Sequence, residues 1–119
     1  MTFRVETVFD QHQACPTGDD YPDHPTDLDS RTWTCRTCQQ SVYIDMADKA
    51  GNRFTVERRP AREIHEDDFV VYREKAGITA GRVTASNPYR GKGRLWHLAV
   101  EAFGSDRISP EQYVSRIPS

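Results

Sequence analysis

Two segments, His12-Gln13-Ala14-Cys15 and Cys35-Arg36-Thr37-Cys38, decide how the first half of this chain folds. Each places two metal-binding side chains at the spacing of a tight turn, and together the segments use all three cysteines. Zn²⁺ prefers four tetrahedral nitrogen and sulfur ligands, and two such turns fill its coordination shell without leaving an open position. We therefore predict a structural Zn²⁺ bound by His12, Cys15, Cys35 and Cys38.

The fourth ligand has an alternative, since His24 lies between the two segments and can replace His12. Other uses of the cysteines fit less well. A redox C-x-x-C pair belongs at a strand-to-helix junction of a βαβ unit, which the sequence does not suggest. A catalytic zinc needs a nearby acid or base, as in the H-x-E with P-C-x-x-C signature of zinc deaminases, and Thr34 stands where that proline would be.

The flanking residues favour β-structure around the second segment. Trp33-Thr34 leads into it, and Ser41-Val42-Tyr43-Ile44 leads out. Over residues 10–57 the chain resembles zinc-ribbon domains, in which a strand commonly enters C-x2-C and leaves into a hairpin. It departs from that pattern in having His12 where a cysteine is commoner, and no glycine follows Cys38.

The rest of the first half divides into strands and one acidic loop. Residues 2–9 alternate between apolar and polar side chains, which predicts a strand. A hairpin is expected from Val42-Tyr43-Ile44 and Arg53-Phe54-Thr55-Val56. Between the metal-binding segments, prolines and aspartates indicate a solvated loop. Its acidic residues are Asp19, Asp20, Asp23, Asp27 and Asp29.

The second half is a series of short strands with tight connections. Apolar runs at residues 69–72, 78–85 and 95–100 are separated by glycine-containing turns, and Gly81 is expected to mark a bend or bulge. Ser109-Pro110 begins a helical turn before the final strand. This pattern resembles SH3-like barrels of the Tudor or KOW kind. We expect a mostly β protein, with a small zinc ribbon at 1–57, a linker at 58–62 and an SH3-like five-stranded β-barrel at 63–119.

Composition limits the possible functions of the protein. The chain has 119 residues, of which 36% are hydrophobic and 29% charged, so its apolar core is modest and a metal ion would help to stabilise it. No apolar run approaches the length of about 20 residues that a membrane-spanning helix needs. The first residues do not resemble a signal peptide, which leads us to expect a cytoplasmic location. A net charge of −2 excludes a strong overall basic field.

Charge is nevertheless uneven, because one loop of the second half carries three cations and two aromatic residues. These are Tyr89, Arg90, Lys92, Arg94 and Trp96. Cations can contact phosphate groups and exposed aromatic rings can stack on bases. The alternative is a solvated hairpin tip with Trp96 in the core. The linker residues Arg58 and Arg59 are further candidates for phosphate contacts, although a plain solvated connection is the favoured interpretation of this segment.

Two functions from different classes remain. In the first, the protein is a non-enzymatic zinc-binding module that binds RNA or DNA, or a protein of the transcription or translation machinery, through Tyr89, Arg90, Lys92, Arg94, Arg58 and Arg59. In the second, it is a protein–protein adaptor that uses a barrel groove and the acidic loop. An enzyme is not expected, since the sequence contains no catalytic triad, phosphate-binding loop or dinucleotide fingerprint. No small-molecule substrate is evident.

Overall fold

The computed structural model describes residues 3, 5, 7–15, 28, 29, 31–36, 39–91 and 93–118. Strands dominate this part of the chain, and the only helical elements in it are two short 3-10 turns at Thr7–Phe9 and Ala61–Glu63. The prediction of a mostly β protein is therefore confirmed. No helix within these residues is both long and apolar enough to cross a membrane.

Eight of the ten strands in the described residues join one antiparallel sheet in the order β1-β4-β5-β10-β6-β7-β8-β9, and β2 pairs with β3 separately. The strands are β1 (Asp10–Ala14), β2 (Leu28–Asp29), β3 (Thr34–Cys35), β4 (Tyr43–Ala47), β5 (Arg53–Pro60), β6 (Phe69–Glu74), β7 (Gly77–Pro88), β8 (Trp96–Val100), β9 (Gly104–Ile108) and β10 (Tyr113–Arg116). Neighbours in sequence are mostly neighbours in the sheet, as tight turns favour. The exception is β10, which returns to lie between β5 and β6.

Strand β5 connects the two halves of the chain. Its first part pairs with β4, from Arg53 opposite Ala47 to Val56 opposite Ile44. Its second part pairs with β10, from Glu57 opposite Arg116 to Pro60 opposite Tyr113. Residues 58–62, expected to be a solvated linker, therefore lie in this strand and in the 3-10 turn after it. Pro60 is compatible with the strand because it is the last residue and its backbone is extended, with φ −63° and ψ 149°.

Two apolar clusters lie on opposite faces of strand β6. Val70 and Tyr72 face the first cluster, whereas Val71, between them, belongs to the second. The first cluster gathers residues of the second half, together with Phe3. The second contains Ile44 and Met46 of β4 and Val56 of β5, and Ile78 of β7 joins it. Strand β6 is consequently buried on both faces, and residues of the second half complete the core of the first.

Gly81 has a different role from the one predicted for it. It lies in regular pairing opposite Val70, and the irregularity in β7 falls later, between Val83 and Ala85. A Cβ atom at Gly81 would stand 2.5 Å from Cγ1 of Val100. Glycine is needed at this position because the neighbouring strand packs closely against its backbone.

The Asp48 carboxylate joins the β4–β5 turn to the start of β7. It accepts hydrogen bonds from the Asn52 side chain at 3.0 Å and from the backbone N–H groups of Asn52, Ala50 and Ile78 at 2.9, 3.0 and 2.9 Å. The amide of Asn52 and the N–H of Ile78 are the main causes that lower the pKa of Asp48 from 3.8 to about 2. The ionised carboxylate therefore holds the two turns together.

We expect this carboxylate to contribute to acid sensitivity. Because the folded-state pKa is depressed, the contribution of Asp48 is complete above its unfolded pKa of 3.8 and is lost as the pH falls toward about 2. Asp48→Asn should lower the free energy of unfolding near neutral pH, and the difference from wild type should shrink over that window. Urea unfolding of both proteins from about pH 6 to about pH 2 measures this. A difference that is constant with pH would contradict the assignment.

Candidate metal site and basic surface

Two of the predicted zinc ligands come together in the interior of the protein. Cys15 follows directly after β1 and is buried, and Cys35 ends β3 and has no exposed surface. Both belong to the apolar cluster that also contains Val42, Ile44 and Val56. Cys38 and the alternative ligand His24 lie outside the described residues. Within the described part of the chain, no group of three or more His, Cys, Asp or Glu side chains forms a metal site.

Backbone hydrogen bonds join Cys35 to the residues that follow Cys38. The carbonyl of Cys35 accepts a hydrogen bond from the Gln39 N–H at 2.6 Å, and its N–H donates to the carbonyl of Gln40 at 2.9 Å. A bridge between Thr34 and Ser41 continues the hairpin. Gln39 has φ 61°, in the left-handed region that glycine adopts more readily. The residue after Cys38 thus has a glycine-like conformation although it is not a glycine.

Replacing Gln39 tests whether its left-handed backbone conformation is strained. Gln39→Gly should raise the free energy of unfolding by up to about 1 kcal/mol, because it relieves left-handed strain that exceeds the added freedom of the unfolded chain. Gln40→Gly is the matched control. Gln40 has no positive φ, so this change should lower the free energy of unfolding. Thermal unfolding of the two variants measures the effect. Equal destabilisation by both would show that the turn is not strained at residue 39.

His12 does not share the side on which the two thiols are buried. Along β1, Gln13 pairs with the buried Ile44, whereas His12 pairs with Asp45 on the outer face of β4. Its side chain is exposed. The structure therefore places Cys15 and Cys35 in one apolar cluster, and His12 pairs with Asp45 instead of the buried Ile44.

Arg58, expected on a basic surface, lies in the protein interior. Its guanidinium has no exposed area and forms a two-pronged ion pair with Asp10, with both N···O distances at 2.7 Å. It also donates to Oγ of Ser115 at 3.2 Å and lies 4.3 Å from the ring centroid of Trp33. The sequence-based assignment of Arg58 to phosphate binding is corrected by this burial. The side chain instead joins β1, β5, β10 and the residues just before the second metal-binding segment.

Arg59 is neutralised by its neighbours. Its Nη1 lies 3.2 Å from Oε1 of Glu63, and its Nε lies 3.5 Å from Oε1 of Glu57. Glu57 also pairs with Arg116 at 2.8 Å. Two carboxylates beside one guanidinium reduce the field that a phosphate would experience. Arg59 therefore belongs to an ion-pair network on β5 and β10.

The loop between β7 and β8 is a turn closed by a backbone hydrogen bond. The N–H of Tyr89 donates to the carbonyl of Leu95 at 2.9 Å and closes the loop. Arg90 and Arg94 are exposed, and Lys92 lies outside the described residues. The Trp96 ring packs on the first core cluster, and its Nε1 donates to Oγ of Ser86 at 2.8 Å. Trp96 is accordingly a core residue.

Arg107 is a member of this surface that sequence reasoning missed. It lies on β9, and its Nη1 donates to the Tyr89 hydroxyl at 2.9 Å while its guanidinium stands 4.9 Å from the centre of that ring. Arg90, Arg94 and Arg107 thus project from the same end of the sheet. We call these three arginines the basic surface. Among the described residues, none of them forms an ion pair with a carboxylate, unlike Arg31, Arg58, Arg59, Arg62, Arg82 and Arg116.

One sequence signal could have drawn attention to this region. No aspartate or glutamate occurs between Glu74 and Glu101, a stretch that contains the whole β7–β8 loop. The charges of Arg90 and Arg94 are therefore not offset by acidic residues of their own loop or of β7 and β8, whereas Arg107 directly follows Asp106 on β9. Arg107 could not be added from the sequence, since only the pairing of β8 with β9 brings it beside Tyr89.

Comparisons with protein-family models, with curated proteins and with solved structures found no match to this chain.

Proposed function

We propose that the protein is a non-enzymatic nucleic-acid-binding module whose first half is held together by a structural Zn²⁺. Cys15, Cys35 and Cys38 would be three of the ligands, with His12 or His24 as the fourth. The fold of the second half supports an SH3-like arrangement: β6 to β10 adopt the order β10-β6-β7-β8-β9, and a turn at Ser109–Gln112 precedes the last strand. RNA or DNA is the proposed partner.

The observation that carries the nucleic-acid proposal is the absence of ion pairs at the basic surface. An exposed guanidinium without a carboxylate partner retains its charge for an approaching phosphate. Among the other exposed cations, Lys49 directly follows Asp48 and Lys75 directly follows Glu74. Arg90 and Arg94 have no acidic neighbour on their loop, whereas Arg107 directly follows Asp106. A local patch of this kind can bind phosphates even when the net charge is −2.

The non-enzymatic part of the proposal rests on the acidic cluster before β6. Its carboxylates have structural partners: Asp67 pairs with Arg82 at 2.6 Å, and Asp68 pairs with Arg116 at 3.3 Å. Asp68 also accepts the backbone N–H of His65 at 2.8 Å. These ion pairs and the hydrogen bond within the turn account for the acidic cluster, and no catalytic role is needed to explain it.

A salt-dependent binding assay tests the proposal. Arg90, Arg94 and Arg107 would be changed together to Ser, and binding to labelled mixed-sequence RNA and DNA oligonucleotides measured between about 50 and 200 mM salt. We expect a large loss of affinity at low salt. The slope of log K against log salt should decrease in magnitude by about 2, because each phosphate contact with a single strand contributes about 0.7.

The matched control replaces Lys49, Arg53 and Lys75 with Ser. It removes the same charge from turns on the other hairpins, β4–β5 and β6–β7. Its affinity and salt slope should stay near those of the wild type. Equal losses in the two triple variants would indicate nonspecific attraction, and no binding by the wild type at low salt would eliminate the proposed function.

A further inference from the structure

A row of polar side chains continues from the basic surface across three strands. Asn87 of β7 pairs with His97 of β8, which in turn pairs with Arg107 of β9. Adjacent strands lie about 4.8 Å apart, so the three residues span about 10 Å. They point away from the core, because the alternating residues Leu98 and Ile108 belong to the first apolar cluster. We call these three residues the polar row.

The next row on the same face consists of small side chains. Ala85 pairs with Ala99, and Ala99 pairs with Ser105. Small residues leave a shallow floor beside the polar row, where the plane of a base can approach the sheet. The row itself offers an amide, an imidazole and a guanidinium. These groups can hydrogen-bond base edges, and the imidazole and the guanidinium can also stack on base planes.

Tyr89 positions Arg107 at the end of this row. Its hydroxyl accepts a hydrogen bond from Arg107, and the guanidinium lies near its ring. The backbone of Gly91 also lies against the Tyr89 ring, so closely that a Cβ atom there would collide with it. The ring is therefore held by the loop and by Arg107. Tyr89 is therefore a residue that positions Arg107, and the bases contact the sheet instead of the Tyr89 ring.

We propose that a single-stranded nucleic acid crosses the outer face of β7, β8 and β9. Its phosphates contact the basic surface, and one or two of its bases contact Asn87 and His97. This inference rests on the proposed function and adds the class of nucleic acid and the residues that meet its bases. Charge complementarity with the basic surface identifies the occupant. Bases are accessible in this way only when they are unpaired.

The test compares a mixed-sequence single-stranded RNA and DNA with the duplexes of the same sequences. Wild-type protein should bind the single strands more tightly than the duplexes at equal salt. The double variant Asn87→Ala/His97→Ala should bind single strands about tenfold more weakly, the loss expected for removing one or two base contacts. Its salt slope should equal that of the wild type, because no phosphate contact is lost. His65→Ala is the control, since His65 is an exposed histidine outside this face.

The outcomes separate this inference from the proposed function. If the arginine variant loses affinity and the double variant does not, nucleic-acid binding stands and the base-contacting row is wrong. Tighter binding of duplexes by the wild type overturns the single-strand assignment in the same way. If the wild type binds none of the four oligonucleotides at low salt, both proposals fail. Amide NMR spectra of the variants establish that their fold is intact.

Discussion

Cys35→Ser is expected to unfold the first half of the protein and to abolish Zn²⁺ binding. The Cys35 side chain is fully buried, and the turn after it is closed by two backbone hydrogen bonds. A structural Zn²⁺ in a small domain contributes roughly 10–16 kcal/mol of apparent binding free energy, which is folding free energy when the unfolded chain has no site. Metal analysis and the dispersion of amide NMR signals measure the two effects.

Two controls separate metal loss from a simple packing defect. Val42→Ala truncates a buried neighbour in the same cluster and should lose about 1–3 kcal/mol while keeping one Zn²⁺ per chain. A chelator added to the wild type should reproduce the effect of Cys35→Ser. A native spectrum in the presence of chelator would remove the claim of a structural zinc.

The fourth ligand is decided by comparing two histidine variants. The spacing to Cys15 predicts His12, so that His12→Ala should weaken zinc binding more than His24→Ala does. The structure places His12 on the outer face of β1, opposite Asp45. If His24→Ala weakens zinc binding more than His12→Ala does, His24 is the fourth ligand. His12 then stays on the outer face of β1 and does not bind the metal.

Arg58→Ala is expected to destabilise the folded protein by about 3–5 kcal/mol. The substitution leaves the Asp10 carboxylate, which is only 14% exposed, without its two-pronged partner. It also removes the guanidinium beside the Trp33 ring and Ser115. A charge left unpaired in the interior costs more than the pair contributes, so the loss should exceed that of any surface pair. Urea unfolding at neutral pH measures the free energy.

A double-mutant cycle with Asp10 identifies the cause. Arg58→Ala/Asp10→Asn should be less destabilised than the sum of its single variants, because the unpaired charge is then absent. Arg62→Ala provides the surface control: Arg62 pairs with Glu111 at 3.2 Å where both side chains are exposed, and its loss should cost about 1 kcal/mol or less. A similar cost at Arg58 and Arg62 would contradict the interior role of Arg58.

The sequence predicted the strands of the second half because their apolar runs and turns are local signals. It did not predict the role of β5. Arg58, Arg59 and Pro60 form a basic, proline-containing segment that locally resembles a linker, and only pairing with β10 makes it a central strand. The burial of Arg58 depends on Asp10, a residue far away in sequence. Tertiary partners of this kind cannot be inferred from the composition of the segment.

The candidate sites show the same division between local and tertiary information. The spacing of Cys35 and Cys38 predicts a tight turn, and backbone hydrogen bonds join Cys35 to Gln39 and Gln40 on its far side. The side to which His12 points follows from the pairing of β1 with β4, which spacing does not reveal. Arg90 and Arg94 are visible in the sequence of one loop, whereas Arg107 joins them through strand pairing.

The most direct test of the proposed function is an amide NMR titration of the zinc-loaded protein with short mixed-sequence RNA and DNA at two salt concentrations. We predict salt-sensitive shifts at residues 89–96 and at Arg107, extending to Asn87 and His97 with single strands. Arg58 and Arg59 should shift little, because their side chains are engaged within the fold. A spectrum that does not change at low salt would contradict nucleic-acid binding.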